Sequence, residues 1–247
     1  MISISKNEKN RRISNVKLSI FLVYIAFLAF SAIWWAVNFD LRNLLMSVLF
    51  MGFVPLMLLA ERLFRLDFGA LFCASVLFIA TGSILGSCFN VYTLIPFFDT
   101  LLHGISGIAF AAFGFSLAMR LFGTGEGERL FGCVAFAFCF SLAVAVLWEL
   151  FEYGCTMLFG FDMMEDSYVG SISSYLLSGT HNETVTLDGI TKTVIYYADG
   201  KTFTVNGYLD LGLIDTVADM AICTLGAAVF SLIALIRKIR FPKDTRA

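Results

Sequence analysis

Residues 130–159 read LFGCVAFAFCFSLAVAVLWELFEYGCTMLF, a run whose only charged residues are Glu149 and Glu152. As an α-helix, this run would be about 45 Å long, which exceeds the roughly 30 Å hydrocarbon core of a membrane. The two glutamates are three residues apart and therefore share one helix face. Because a charge in hydrocarbon costs roughly 2.5–3.5 kcal/mol, such residues are retained where they have a partner, a cavity or a function. The run predicts a membrane-spanning helix that carries a polar site.

The composition of the whole chain is that of an integral membrane protein. Of its 247 residues, 59% are hydrophobic and 15% are charged, and the mean hydropathy is +0.84. This composition excludes the surface of an ordinary soluble protein. Six apolar runs are long enough to cross a membrane, at 18–37, 44–60, 69–94, 101–122, 130–159 and 214–236. We therefore expect an all-α polytopic membrane protein, a six-transmembrane-helix bundle. A net charge of only −2 and scattered basic residues indicate no nucleic-acid partner.

The positions of the basic residues predict the orientation, because cytoplasmic loops keep an excess of Lys and Arg. Arg42, Lys192 and Lys201 fall on one side of the membrane, and the other basic residues fall at the chain ends or in loops on the opposite side. We expect a multi-pass protein of the cell membrane with both termini in the cytoplasm. The expected segments are cytoplasmic tails at 1–16 and 238–247, helices 1–5 within 17–159, an extracytoplasmic loop at 160–213 and helix 6 at 214–237.

The long loop has the pattern of a small β-structure in its second half. Alternating segments at 183–187, 191–197, 201–205 and 208–211 are separated by Asp-Gly, Asp-Gly and Asn-Gly, which are strong hairpin signals. We expect a β-meander between helices 5 and 6. The first half, 162–178, is expected to be an interfacial helix or an irregular lid.

All six cysteines fall in the predicted spans, and none forms a CxxC motif. In such positions cysteine behaves as a small apolar side chain. Neither a disulfide framework nor a zinc–thiolate site is expected.

Three pairs of ionisable residues with helical spacing lie within or at the ends of apolar runs. The pairs are Asp99/His103, Glu149/Glu152 and Asp215/Asp219. In the expected topology, all six residues lie near the outer boundary of the membrane. One layer would hold His103, Glu149 and Asp219, and the layer above it Asp99, Glu152 and Asp215. We expect these six residues to form one site, with Trp148 and Tyr153 as candidate lining residues.

The charge of these groups favours a divalent metal ion. Five ionised carboxylates in a low-dielectric pocket would total −5, so protons, water or cations must compensate them. Oxygen-rich ligation with one imidazole suits Mg²⁺, Mn²⁺ or Ca²⁺, and Zn²⁺ suits His103 with two carboxylates. Glu149 or Glu152 is the candidate catalytic base. The alternatives are a structural polar network and, for Asp99 and Asp215, simple stabilisation of helix N-termini.

Three motifs in separate spans resemble those of the YjdF-like family of bacterial membrane proteins of unknown function, and more distantly those of VanZ-like membrane proteins. The motifs are DxxxHxxSG at 99–107, WExxEY at 148–153 and GLxDTxxDM at 212–220, followed by Gly226-Ala227. The resemblance extends over residues 98–230, and the connection at 160–210 is longer than that of the family. It implies a membrane protein with an acidic polar centre and brings no established activity.

Three classes of function follow from these residues. The first is a metal-dependent hydrolase or transferase that acts on a membrane lipid or envelope precursor through Glu149 or Glu152 as general base. The second is a proton- or cation-coupled transporter, which usually has a midplane site, broken helices and internal repeats. The third is a structural envelope protein, in which the carboxylates would be dispensable.

Overall fold

A computed structural model describes residues 6–64, 68–123 and 128–237, most of which are helical. The helices are α1 (Lys6–Val37), α2 (Leu41–Met51), α3 (Phe53–Phe64), α4 (Ala70–Phe89), α5 (Val91–Leu94), α6 (Phe98–Phe122), α7 (Glu128–Phe159) and α8 (Leu213–Arg237). The expected cytoplasmic tail at 238–247 lies outside the described residues, as do the first five residues of the chain.

Six helical segments of the described chain are long and apolar enough to cross a membrane, which confirms the polytopic all-α class. They are Asn15–Val37, Leu41–Leu63, Ala70–Phe89, Phe98–Phe122, Arg129–Phe159 and Leu213–Arg237. Helix α1 begins at Lys6, well before the predicted start of the first span, so part of the expected N-terminal tail is helical.

The second span consists of two helices because of a proline. Pro55 has no backbone N–H, and its ring clashes with the carbonyl of the residue four positions earlier, which is Met51. Helix α2 ends at that residue, and α3 begins after Gly52. Leu56 restores the helical pattern by donating to the Gly52 carbonyl at 3.0 Å.

The described chain divides into two compact units, one formed by residues up to Val146 together with those from Met220 onward, the other by Leu147–Asp219. A buried cluster of the first unit draws on α6, α7 and α8. It consists of Phe115, Ala118, Met119, Cys133, Val134, Ala137 and Ala234. Small side chains and aromatic rings fill this cluster, as expected for helices that pack closely in a membrane.

Helices α6 and α8 approach each other closely in this first unit because glycines face the partner backbone. A Cβ placed on Gly107 would lie 2.2 Å from the carbonyl oxygen of Cys223. A Cβ on Gly226 would lie 2.5 Å from the carbonyl oxygen of Gly104. Any other residue at these two positions would place a Cβ too close to the backbone of the neighbouring helix.

An ion pair connects α1 to α3 in the same unit. Lys17 forms an ion pair with Glu61, whose carboxylate also accepts the backbone N–H of Phe68 at 2.6 Å. Glu61 is within the second span and belongs to none of the three predicted pairs. The apolar run in the sequence ends at Ala60, one residue earlier, so hydropathy alone does not assign Glu61 to the span.

The loop of the second unit contains six strands, β1 (Tyr168–Val169), β2 (Ser171–Ser174), β3 (Val185–Asp188), β4 (Thr193–Tyr197), β5 (Lys201–Val205) and β6 (Tyr208–Leu209). They form three antiparallel pairs, β1 with β6, β2 with β3 and β4 with β5. The small antiparallel sheets confirm the β character of the loop, but they do not form one continuous meander. Of the two alternatives for 162–178, the interfacial helix is wrong, because β1 and β2 lie there; the residues before β1 have no regular secondary structure.

Only one of the three predicted Asp-Gly or Asn-Gly turns in the described loop closes a hairpin between consecutive strands. Asp199-Gly200 closes the β4–β5 hairpin as predicted, with φ of +61° and +70° at the two residues. Asp188-Gly189 and Asn206-Gly207 close no hairpin, because β3 pairs with β2, β4 and β5 pair with each other, and β6 pairs with β1. A turn motif fixes the local bend, whereas the strand partner depends on the rest of the loop.

Asp210 fixes the entry of the chain into α8. Its carboxylate accepts the backbone N–H groups of Ser167 at 2.7 Å, Ile214 at 2.9 Å and Gly212 at 3.2 Å. These donors include groups near the start of a helix, which have no partner within that helix. The side chain therefore joins the loop before β1 to the first turn of α8.

Candidate metal centre

Helices α7 and α8 bring three carboxylates together within the second unit. Glu149 is 7% exposed, Glu152 6% and Asp219 4%. One carboxylate oxygen from each residue lies within 4.8 Å of the other two. Two oxygens bound to the same Mg²⁺ at about 2.1 Å lie roughly 3–4 Å apart, so small side-chain rotations bring the group to ligand distances.

The position of each carboxylate follows from helical geometry. Glu149 and Glu152 share one face of α7, at about 15 Å and 10 Å from its loop end at Phe159. Asp219 lies about 9 Å along α8 from its start at Leu213. The group therefore combines residues from both of the predicted layers.

Trp148 orients Glu152. The indole Nε1–H donates to Glu152 Oε1 at 2.8 Å, across one turn of α7. Carboxylates that bind metal ions are commonly held by such hydrogen bonds, which fix the direction of the second oxygen. Trp148, a candidate lining residue from the sequence, thus contacts a candidate ligand.

The chemistry of this group suits a hard cation. Three carboxylates supply up to three negative charges in a region of low dielectric constant, and mutual repulsion disfavours their joint ionisation without compensation. All of the donors are oxygen atoms, which Mg²⁺, Mn²⁺ and Ca²⁺ prefer. The residues can therefore hold a metal ion, and the donors do not identify which one.

Asp215 is a predicted ligand that does not belong to this group of three. It lies in the first turn of α8 and is half-buried. A carboxylate at this position interacts favourably with the helix dipole. Its place in the structure thus agrees with the alternative interpretation of a helix N-terminal residue.

Asp99 and His103 form a pair in the first unit. Asp99 is in the first turn of α6, and its Oδ1 lies 3.6 Å from His103 Nε2 one turn later. His103 is only 7% exposed. The predicted pairing within α6 is therefore present, while the predicted membership of both residues in one site with the glutamates stays a prediction.

Cys223 and Ser106 are polar neighbours of His103 that the sequence interpretation did not connect with it. Cys223 Sγ lies 3.7 Å from His103 Nδ1 and 3.2 Å from Ser106 Oγ. The thiol also donates to the His103 carbonyl oxygen at 3.2 Å. The expectation that this cysteine is only a small apolar side chain is therefore incomplete. The helical period could have placed Ser106 near His103, but no spacing rule links either of them to Cys223.

Two acids of the loop have shifted pKa values. Burial, together with the nearby Asp162 and Asp210, raises the pKa of Asp166. Burial acts to raise the pKa of Asp210 too, but the backbone N–H donors of Ser167, Ile214 and Gly212 outweigh it and hold that pKa below its usual range. Asp210 is thus ionised and structural at neutral pH.

Six apolar membrane-crossing segments and a buried carboxylate group define a multi-pass membrane protein with a candidate metal centre. A family model described as "Predicted membrane protein (DUF2238)" matches residues 16–240, and the chain belongs to this family. The match confirms the YjdF-like resemblance and extends it to the first three spans and the long loop. Neither a curated protein nor a solved structure matches the chain.

Proposed function

We propose that this protein binds a divalent cation through Glu152 and Asp219, with Glu149 beside it as general base, and uses the ion in a hydrolase or transferase reaction on a membrane lipid or envelope precursor. The observation that carries the proposal is the close approach of these three buried carboxylates on two membrane-crossing helices. An acidic group of this kind is costly in a membrane unless it has a partner or a function.

The three residues have different roles in this proposal. Glu152, oriented by Trp148, and Asp219, supplied by the other helix, bind the ion. Glu149 is the general base that accepts a proton from the attacking water or hydroxyl group. A divalent ion held by Glu152 and Asp219 would supply Lewis-acid polarisation of a phosphoryl or acyl oxygen of the substrate.

The oxygen-only donor set makes Mg²⁺ or Mn²⁺ the preferred ion over Zn²⁺. Zn²⁺ would require His103 as a further ligand, as in the original sequence prediction. The Mn²⁺ content of His103→Gln and Asp215→Asn variants tests whether these predicted ligands contribute to the carboxylate site. Loss of the ion in either variant would extend the site beyond the three carboxylates.

The proposed orientation brings the site to the outer side of the cell membrane. The excess of Lys and Arg at the chain ends supports cytoplasmic termini, which makes the loop after α7 extracytoplasmic. The carboxylates are about 9–15 Å from the loop ends of their helices, a depth that suits a lipid headgroup or its ester bond.

Purified protein in liposomes of mixed phospholipids tests the reaction. With Mg²⁺ or Mn²⁺ present, mass spectrometry of the lipids should detect a released headgroup or fatty acid, and a chelator should abolish the release. Glu149→Gln should lose the product, while Glu183→Gln, a substitution in the exposed loop, should retain it. If no lipid product forms with either ion, the proposed reaction is wrong, and uptake of ions into the same liposomes tests the transporter alternative.

A further inference from the structure

We propose that Cys223 and His103 form a second metal site, chemically distinct from the carboxylates, that binds a thiophilic ion of the Zn²⁺ type. The two side chains come from α8 and α6 and lie in the first unit. Cys223 is 3% exposed and His103 7%. A thiolate and an imidazole are the donors that Zn²⁺ favours and that Mg²⁺ does not.

The distance between the two donor atoms fits a shared ion. Zn–S and Zn–N bonds of about 2.3 Å and 2.0–2.1 Å at a tetrahedral angle separate sulfur from nitrogen by about 3.6 Å. The Cys223 Sγ to His103 Nδ1 distance is 3.7 Å. An ion could therefore bind both atoms without movement of either helix. Binding releases the proton of the thiol to solvent, because the thiolate is the ligand.

Asp99 lies near the ring nitrogen of His103 that does not face the thiol. Its Oδ1 lies 3.6 Å from Nε2, on the side of the ring opposite to Cys223. Metal-binding histidines commonly donate their second ring N–H to a carboxylate, which fixes the tautomer and raises the basicity of the ligand nitrogen. Shortening of this contact to a hydrogen bond on metal binding would make Asp99 a positioning residue for Nδ1.

Ser106 supplies a third, weaker oxygen donor to the same place. Its Oγ is 3.2 Å from Cys223 Sγ, and its hydroxyl donates to the His103 carbonyl oxygen at 2.7 Å. Two strong donors and one weak donor would leave at least one position of a tetrahedral ion for water or another ligand. This arrangement is the kind expected where the ion retains an open coordination position.

Close packing of the helices holds the donors in place. Gly107 and Gly226 let the backbones of α6 and α8 touch near this cluster, so neither helix can shift along the other without a clash. Packing alone requires only a small side chain at position 223. The thiol donates to the His103 carbonyl oxygen, and its sulfur also lies 3.7 Å from a ring nitrogen whose partner nitrogen is near a carboxylate.

Cobalt titration of the purified, chelator-treated protein tests this site separately from the carboxylates. Co²⁺ bound by a thiolate produces a charge-transfer band in the near ultraviolet, whereas Co²⁺ bound by carboxylates produces none. The band should appear in wild type and in Glu149→Gln, disappear in Cys223→Ser and persist in Cys133→Ser, which alters another buried cysteine of the same unit. A wild-type protein without the band would overturn the proposal, as would a folded Cys223→Ser variant that retains it.

Maleimide labelling of the wild-type protein tests whether Cys223 is the cysteine that binds the ion. This test does not require Cys223→Ser to fold. Zn²⁺ should slow the labelling of Cys223, measured by peptide mass spectrometry, and leave the labelling of the exposed Cys139 unchanged. Equal labelling of Cys223 with and without Zn²⁺ would contradict the site. Loss of the carboxylate-bound ion in Glu152→Gln with the cobalt band intact would separate this inference from the proposed function.

Discussion

Replacement of Trp148 tests the candidate metal centre without removing a ligand. Its indole donates a hydrogen bond to Glu152 but supplies no donor atom to the ion. Trp148→Phe keeps an aromatic ring and removes the Nε1–H donor. Loss of such a supporting hydrogen bond typically weakens metal affinity 10- to 100-fold. Calorimetric titration of Mn²⁺ should therefore give a Kd higher by about that factor.

Trp34→Phe is the matched control for this substitution. Trp34 is half-exposed on α1, and its replacement also removes one indole. Its Mn²⁺ affinity should equal that of wild type. Equal affinities in Trp148→Phe and Trp34→Phe would show that Glu152 needs no orienting donor for metal binding.

The Asp210 carboxylate accepts hydrogen bonds from three backbone N–H groups at the end of the loop. Asp210→Ala removes the acceptor of Ser167, Gly212 and Ile214. Bonds to a charged acceptor at a helix start contribute about 2 kcal/mol, and this variant should lower the free energy of local opening by about that amount. Hydrogen exchange at the three amides measures it, and Asp188→Asn, at an exposed strand end, should leave their exchange unchanged.

The lowered pKa of Asp210 gives this stabilisation a defined pH dependence. The interaction is fully present above the ordinary aspartate pKa of about 3.9, because the carboxylate is then ionised in both the folded and the unfolded chain. It is lost as the pH falls through the lower pKa of the folded state. Amide protection at Ile214, corrected for intrinsic exchange, should be constant from neutral pH to about 5 and should decrease below 4. A protection profile in Asp210→Asn with the same decrease would assign it to another group.

At the scale of the helices, glycine positions on α6 and α7 have opposite consequences. Gly107→Ala forces a methyl group against the Cys223 carbonyl, a backbone atom that cannot move aside. Overpacking of this kind costs about 1–3 kcal/mol, so the thermal midpoint in detergent should fall. Gly132→Ala on α7 meets nothing within 4 Å and gains helix propensity, so its midpoint should be unchanged or higher. A similar loss of stability in both variants would contradict the close crossing of α6 and α8.

The elements themselves show how far sequence patterns determine structure. Hydropathy located all six spans, because each must contain enough apolar residues to cross the hydrocarbon. The break at Gly52 was also available from the sequence, since Pro55 acts on the residue four positions earlier. The pairings of β1 with β6 and of β2 with β3 were not, because their partners are distant in the chain and register depends on the folded loop.

The sequence likewise predicts part of the candidate site but not all of it. Helical spacing predicted that Glu149 and Glu152 share a face, and intramembrane charge singled out Asp219. Spacing could not distinguish Asp219 from Asp215, since both lie on α8 and only one is grouped with the glutamates. The contact between Cys223 and His103 has a sequence separation of 120 residues, and no local pattern encodes it.

At the scale of the whole molecule, the expected orientation is tested by cysteine accessibility. Thr202→Cys places a thiol on the exposed β4–β5 hairpin, and Leu121→Cys places one near the other end of α6 from Asp99. A membrane-impermeant maleimide should label the first in intact cells and the second only after lysis, with wild type as the background. The reverse pattern would place both termini outside the cell.

The central claim is that the carboxylates of α7 and α8 bind a divalent ion, and metal analysis of the purified protein tests it most directly. Wild type equilibrated with Mg²⁺ or Mn²⁺ and freed of excess ion should retain stoichiometric metal, and both Glu152→Gln and Asp219→Asn should lose it while remaining folded. Wild-type protein that retains no divalent ion after this treatment, or folded variants that retain as much as wild type, would contradict the account.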